Sequence, residues 1–158
     1  MNFLEMRIKT INPGEKMSET NEQTGSCLCG AVHFTAKNAS RKVGACHCGM
    51  CRKWGGGPYM EIDCGNEITF EGEDDITVYN SSDWAERGFC RKCGSNLFYR
   101  LKENRQHMVA VGLFDNQEDL EFEIQVFIDK KPSFYSFSNQ TNNLTEAEII
   151  AMYSPAEE

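Results

Sequence analysis

No part of this 158-residue chain stays apolar for long. Charged residues interrupt each hydrophobic stretch within a few positions, which excludes the run of about 20 apolar residues that a membrane-crossing helix needs. The first residues, Met1 to Thr24, have neither the apolar core of a secretory signal nor the arginine excess of a transit peptide, so a reducing cytoplasm is the expected compartment. Positive charge is also in short supply. With 16 Lys and Arg against 24 Asp and Glu, the formal net charge of −8 argues against a nucleic-acid partner, because phosphate contacts rest on clustered basic side chains. No internal repeat or low-complexity tract occurs. Gly55-Gly56-Gly57 lacks the lysine and hydroxyl residue of a phosphate-binding loop, so it reads as backbone that comes close to a ligand or to another strand. A hydrophobic content of 40% with 11% aromatics is ordinary for one globular domain of this length.

Cysteine is the residue the chain does not lack. Seven of its eight cysteines fall into three clusters, Cys27-Leu28-Cys29, Cys46-His47-Cys48-Gly49-Met50-Cys51 and Cys90-Arg91-Lys92-Cys93. Thiols one or two residues apart are poorly placed to form disulfides, whereas they converge readily on one Zn²⁺ at about 2.3 Å per bond. The count of seven suggests four ligands for a closed scaffold site and three for a site with an open position, hence two zincs per chain. Cys46, Cys48 and Cys51 can close on one ion locally, around a tight turn in which Gly49 permits positive φ. Cys27, Cys29, Cys90 and Cys93 are left to form a four-thiolate site closing a loop of about sixty residues, the kind of cross-link that removes most denatured-state entropy. Gly30 and Gly94 directly follow these pairs, as expected where backbone N–H groups turn toward sulfur.

The runs Gly25 to Phe34, Cys46 to Lys53 and Arg87 to Phe98 resemble the glutathione-dependent formaldehyde-activating enzyme and centromere protein V family. Gly112-Leu113-Phe114-Asp115 looks like that family's Gly-x-x-Asp, and Phe127 to Tyr135 resembles its closing strand and aromatic turn, so the likeness covers roughly residues 24 to 137. The resemblance implies a mainly β, Mss4-like β-tent fold of several small antiparallel sheets around zinc. It also implies that Cys27, Cys29, Cys90 and Cys93 hold a structural zinc and Cys46, Cys48 and Cys51 a catalytic one. The activity it implies is that of a carbon–sulfur lyase, with glutathione as the thiol and formaldehyde as the aldehyde.

Alternating apolar residues predict strands at Val32–Ala36, Ile76–Tyr79, Leu97–Tyr99, Met108–Val111 and Phe122–Ile128. One terminal helix is expected after Thr145, where Thr145-Glu146-Ala147-Glu148 forms a capping box, ending before Pro155. Residues 1–23 read as a flexible extension, with Met17 an alternative start, and residues 24–158 as a single zinc domain. Three thiolates on Zn²⁺ carry a net charge of −1, a weak Lewis acid suited to soft ligands, so a substrate thiol could ionise as the fourth ligand.

Several residues admit two readings. His47 could shuttle protons, although a residue between two ligands usually points away from the metal. Arg87 could clamp a substrate carboxylate or bond a turn, and Arg52 is a second candidate for capturing an anionic thiol. These two belong to a larger bias: Arg41, Lys42, Arg52, Lys53, Arg87, Arg91 and Lys92 border the second and third clusters, either to offset thiolate charge or to receive an anion. Cys64, outside every cluster, reads as a small core filler, with a fourth zinc ligand as its other role. Two non-catalytic functions are also open: a zinc-stabilised protein-binding module, and chromatin or microtubule association, for which the chain lacks a basic extension.

Overall fold

The structure, a computed structural model, describes residues 21–154. The expected extension up to residue 20, the alternative start at Met17 and the chain after residue 154 lie outside the described residues. In chain order the elements are β1 (Gln23–Ser26), β2 (His33–Ala36), β3 (Lys42–Cys46), α1 (Gly49–Gly55), β4 (Tyr59–Asp63), β5 (Ile68–Glu71), β6 (Ile76–Tyr79), β7 (Ala85–Cys90), β8 (Asn96–Leu101), β9 (His107–Ala110), β10 (Glu121–Val126), β11 (Asn142–Leu144) and α2 (Glu146–Tyr153). The fold is mainly β. A three-stranded sheet has the order β1-β2-β5, and an eight-stranded sheet runs β11-β10-β3-β4-β9-β8-β7-β6. Pairing is antiparallel except around β10, which runs parallel to both β3 and β11.

Alternation decides which face of each strand is buried. In β2, Phe34 and Ala36 point inward, and from the large sheet Val43, Ile62, Phe98 and Val109 meet them in one core. Phe34 packs edge-on to Phe114 at 5.1 Å between ring centres, and Phe70 lies 5.3 Å from Phe98. Each such side chain withdrawn from water contributes about 1.5–3 kcal/mol. The close approach of β7 and β8 depends on Gly88, because the Phe98 ring occupies the space a Cβ would need. Cys64 is fully buried in this core and belongs to neither thiol group, and burial raises its thiol to about 12, so it stays protonated.

The other face of the large sheet is different in kind. Register pairs Cys46 with Tyr59, Tyr99 with Met108 and Arg87 with Tyr99, so these residues share one surface, over which α1 lies. A clustered cysteine, a buried arginine and two tyrosines are thereby gathered from four strands.

Strand β6 falls on its expected residues, and α2 begins at the expected capping box, with Thr145 and Glu148 bonding each other's backbone N–H. Three expectations need correction. Gly49–Gly55 is helix rather than a bare turn: Cys48 is the N-cap, and the left-handed residue is Gly56 at the C-terminus, φ 81°, rather than Gly49. The glycine run therefore ends a helix. Strand β10 stops at Val126, because His47 N–H takes the Val126 carbonyl at 3.1 Å and Phe127 then turns left-handed, φ 55°. Val111 likewise leaves its strand for a short 3₁₀ turn.

His107 makes the core sensitive to acid. It is 5% exposed, edge-on to Phe98, with Nδ1 2.7 Å from the Arg105 carbonyl. Burial, reinforced by Arg100, lowers its pKa to about 4. The unfolded chain binds this proton near pH 6.5 while the folded ring refuses it until about pH 4, so stability present above 6.5 is lost as pH falls through that window. Wild type should therefore lose about 2 kcal/mol more than His107→Gln between pH 7.5 and pH 5 in urea unfolding. Equal acid sensitivity of the two proteins would contradict the assignment.

Candidate metal centre

Two short turns build the first thiol group. After β1 the chain folds back with Cys27 N–H on the Val32 carbonyl at 3.0 Å and Val32 N–H on the Cys27 sulfur at 3.3 Å. After β7, Gly94 N–H reaches the Cys90 carbonyl at 2.8 Å and Cys90 N–H the Ser95 carbonyl at 2.9 Å. Gly30 and Gly94 take positive φ, 78° and 77°, as their positions required. Ser95 ties the two turns together, accepting from Leu28 N–H at 3.0 Å and lying 3.2 Å from the Cys93 sulfur. Cys27, Cys29, Cys90 and Cys93 thus bring their sulfurs within 4.8 Å of one another although the two pairs are some sixty residues apart.

The second group lies where β3 hands over to α1. Cys46 ends the strand, Cys48 caps the helix and accepts from Cys51 N–H at 3.3 Å, and Cys51 sits one turn in. Their three sulfurs are again mutually within 4.8 Å, and among the described residues no histidine nitrogen or carboxylate joins them. Their electrostatics fit a cation. Bonding from Cys46 and Cys51 lowers Cys48 to about 2, and that same ionised Cys48 raises Cys46 far above the usual thiol range. Cys51, despite a lowering contact from Cys46, is raised to about 11 by Cys48 and by burial. Three crowded thiols on their own can ionise only once; a divalent cation removes the conflict and lets all three act as ligands. All eight cysteines are free thiols, as ligation requires.

His47, between two of these cysteines, is fully buried and faces away from the sulfurs. Its Nε2 meets Gln125 Oε1 at 2.8 Å and its Nδ1 meets the Tyr135 hydroxyl at 2.8 Å. The Gln125 amide nitrogen donates to Thr141 Oγ1 at 2.8 Å, which turns its oxygen toward the ring, so Nε2 carries the proton and Nδ1 accepts from Tyr135. Burial lowers the His47 pKa further toward the neutral form. With both nitrogens engaged, the ring is a strut between the cysteine turn, β10 and the 134–137 segment rather than the proton shuttle considered from sequence.

Arg87 bonds a cysteine sulfur rather than a turn. It is 3% exposed, its Nη2 donates to the Cys51 sulfur at 3.6 Å, and its guanidinium lies 4.9 Å from the Trp54 ring centre and 5.1 Å from that of Tyr99. Its Nε and Nη1 have no hydrogen-bond partner. The other basic residues near the clusters divide sharply. Lys42 pairs with Glu121 and Glu123, and Arg91 and Lys92 both pair with Asp75, which locks the Cys90–Cys93 turn to the 3₁₀ turn before β6. Arg52 gives its Nε–H to the His47 carbonyl at 2.9 Å and, with Lys53, Gly56, Phe134 and Tyr135, lines a groove of about 320 Å³ beside α1.

Comparison with known proteins agrees with this geometry. The family model described as glutathione-dependent formaldehyde-activating enzyme matches residues 22–130. The chain belongs to that family. A Schizosaccharomyces pombe protein named an uncharacterized lyase is 35% identical over 130 residues, 82% of this chain and 95% of that protein. The crystal structure of a Rhodobacter sphaeroides protein superposes with a TM-score of 0.52 at 26% identity, covering 63% of this chain and 96% of that one. Within this formaldehyde-activating family member, sequence reasoning missed Gln125, Trp54, Tyr99 and Glu61. The last carried a signal: in Tyr59-Met60-Glu61-Ile62-Asp63 strict alternation sets Glu61 on the same face as Tyr59, and Tyr59 pairs with Cys46. Among the described residues no helix is long and apolar enough to cross a membrane.

The two thiol groups should release metal at different rates, because four thiolates saturate their ion and three leave it open to a competing ligand. Brief treatment of the zinc-loaded protein with a mild chelator should leave about one of two equivalents bound. Loss of both at one rate would contradict the unequal ligand sets.

Proposed function

We propose that the chain is a zinc-dependent carbon–sulfur lyase that forms or cleaves the bond between a small anionic thiol, such as glutathione, and a small aldehyde, such as formaldehyde. The observation that carries this reading is the unequal ligand count, four thiols in one group and three in the other, with no fourth protein donor among the described residues. Zinc on Cys27, Cys29, Cys90 and Cys93 would be structural. Zinc bound by Cys46, Cys48 and Cys51 would supply a cationic centre with an open position that favours the ionised form of a substrate thiol.

The surrounding residues suit that chemistry. Arg87 offsets the thiolate charge through Cys51, and its Nε–H and Nη1–H are free to hold a substrate oxygen. A buried donor left without a partner costs about 1–3 kcal/mol, so these groups favour whatever oxygen reaches them. Trp54, Tyr59, Tyr99 and Met108 pack around the thiols and limit water. Arg52 and Lys53 place positive charge along the groove, matching the carboxylates of a peptide-like thiol. The lyase wording of the Schizosaccharomyces pombe relative supports the reaction class, and the family description supports glutathione as the thiol. Eight free thiols suit a reducing compartment, which favours the cytoplasm.

Two serine variants separate folding from activity. Cys90→Ser breaks the site that joins β1 to β7; since zinc binding of about 10–16 kcal/mol can be folding free energy in small zinc modules, this variant should unfold at markedly lower temperature. Cys51→Ser should fold nearly normally, hold one zinc and lose turnover of S-hydroxymethyl thiols. Full activity in Cys51→Ser would remove the catalytic reading and leave a zinc-stabilised binding module in its place.

A further inference from the structure

Among the described residues, Glu61 is the carboxylate that the fold sets on the thiol-bearing face of the sheet without an ion pair or hydrogen bond. It stands in β4 opposite Gly44 of β3, two residues from the Tyr59–Cys46 pair, so Glu61 and Cys46 point to the same side. Neighbours two apart on one strand are separated by about 6.5–7 Å. The Glu61 side chain lies across Gly44, its Oε1 3.5 Å from where a Cβ would stand, and the missing side chain leaves the space it fills. It forms no ion pair or hydrogen bond among the described residues, unlike Asp63 two positions on, which accepts from Gly65 N–H and the Gln106 amide. Nor is it a ligand, since its oxygens stand outside the 4.8 Å group of sulfurs. The residue as a whole is half-buried.

We propose that Glu61 is a catalytic residue that carries the proton to and from the oxygen of the S-hydroxymethyl group, with Arg87 holding that oxygen through its free N–H groups. The inference rests on the lyase reading above. In the forming direction the sulfur lone pair of the thiolate makes the C–S bond, the C=O π pair moves to oxygen, and the Glu61 carboxylic acid protonates that oxygen. In the cleaving direction the Glu61 carboxylate removes the hydroxyl proton, the O–H pair becomes the C=O π bond, and the C–S pair returns to sulfur. No oxidant or reductant is needed.

The setting favours a carboxyl group able to play both parts. Burial first, then the like charge of Asp63, raise its pKa to about 8, Arg87 opposes, and Cys48 adds a further push upward. Tyr59, Cys64 and Tyr153 of α2 are the other titratable groups that feel its charge. A metal on three thiolates bears the same net −1 as one ionised thiol among three, so metal loading keeps the sign of the field at Glu61. A general acid–base group works best with its pKa near the working pH.

The test compares zinc-loaded wild type, Glu61→Gln and Glu61→Asp. Glu61→Gln should lower turnover of an S-hydroxymethyl thiol by about a hundredfold or more, with zinc content, thermal midpoint and calorimetric thiol affinity retained, and Glu61→Asp should recover part of the loss. Infrared difference spectra between pH 6 and pH 9.5 give a readout independent of activity. A protonated carboxyl band should disappear with a midpoint of about 8 in wild type and be missing from Glu61→Gln. Turnover within about threefold of wild type in Glu61→Gln, or no carboxyl band titrating above pH 6, would overturn the role of Glu61 and leave the lyase reading standing. Absence of turnover in wild type would overturn the lyase reading itself, and this assignment with it.

Discussion

Thiols held within 4.8 Å of one another repel as they ionise, and the arrangement of this molecule follows from where that repulsion is answered. At the first group the answer is complete. Four sulfurs surround one position, backbone N–H groups and Ser95 turn toward them, and the basic residues of the second turn, Arg91 and Lys92, are drawn off by Asp75 rather than left beside the sulfurs. At the second group it is incomplete by one ligand. A guanidinium that costs a good deal to bury is kept there, bonded to Cys51 and sandwiched by Trp54 and Tyr99, with two of its nitrogens unsatisfied. Unpaired buried donors are costly, and among the described residues they are found only on Arg87.

The sheet exists to hold that geometry. Cys46 is at the end of a central strand flanked on one side by β4 and on the other by the parallel strand β10, so its position is fixed from both edges. The turn that follows is pinned from below by His47, whose two hydrogen bonds reach Gln125 in β10 and Tyr135 far along the chain. Those bonds lock one tautomer of a buried ring and restrict the path by which Cys46 and Cys48 could separate. Helix α1 then presents Cys51 on one side and Arg52 on the other, so that a substrate thiol and its carboxylates could be met by one seven-residue element.

Much of the site could be read from residue order. The division of seven cysteines into four and three follows from spacing, and the structure brings together the same two sets. The terminal helix was visible in Thr145 and Glu148, because a capping box is a local interaction. Strand β3 was not visible: Lys42-Val43-Gly44-Ala45-Cys46 is buried on both faces after its first residue, which erases the alternation that betrays a half-exposed strand. The helical form of the second cluster was hidden because ligand spacing of two then three suits a turn as well as a helix start, and the choice is made by Cys48 accepting from Cys51 N–H. The environment of Arg87 was out of reach altogether, since it depends on which strands become neighbours: β7 must lie beside β8 for Tyr99 to cover the guanidinium, and α1 must cross the sheet for Trp54 to do so.

If the two thiol groups hold zinc ions that differ by one open position, X-ray absorption at the zinc edge reads that difference directly. In the zinc-loaded protein the fit should give an average of about 3.5 sulfurs per metal at about 2.3 Å, with a lighter atom completing the shell, rising to about 4 when glutathione is added. An average of four sulfurs before any thiol is present, or no change on adding it, would contradict the account.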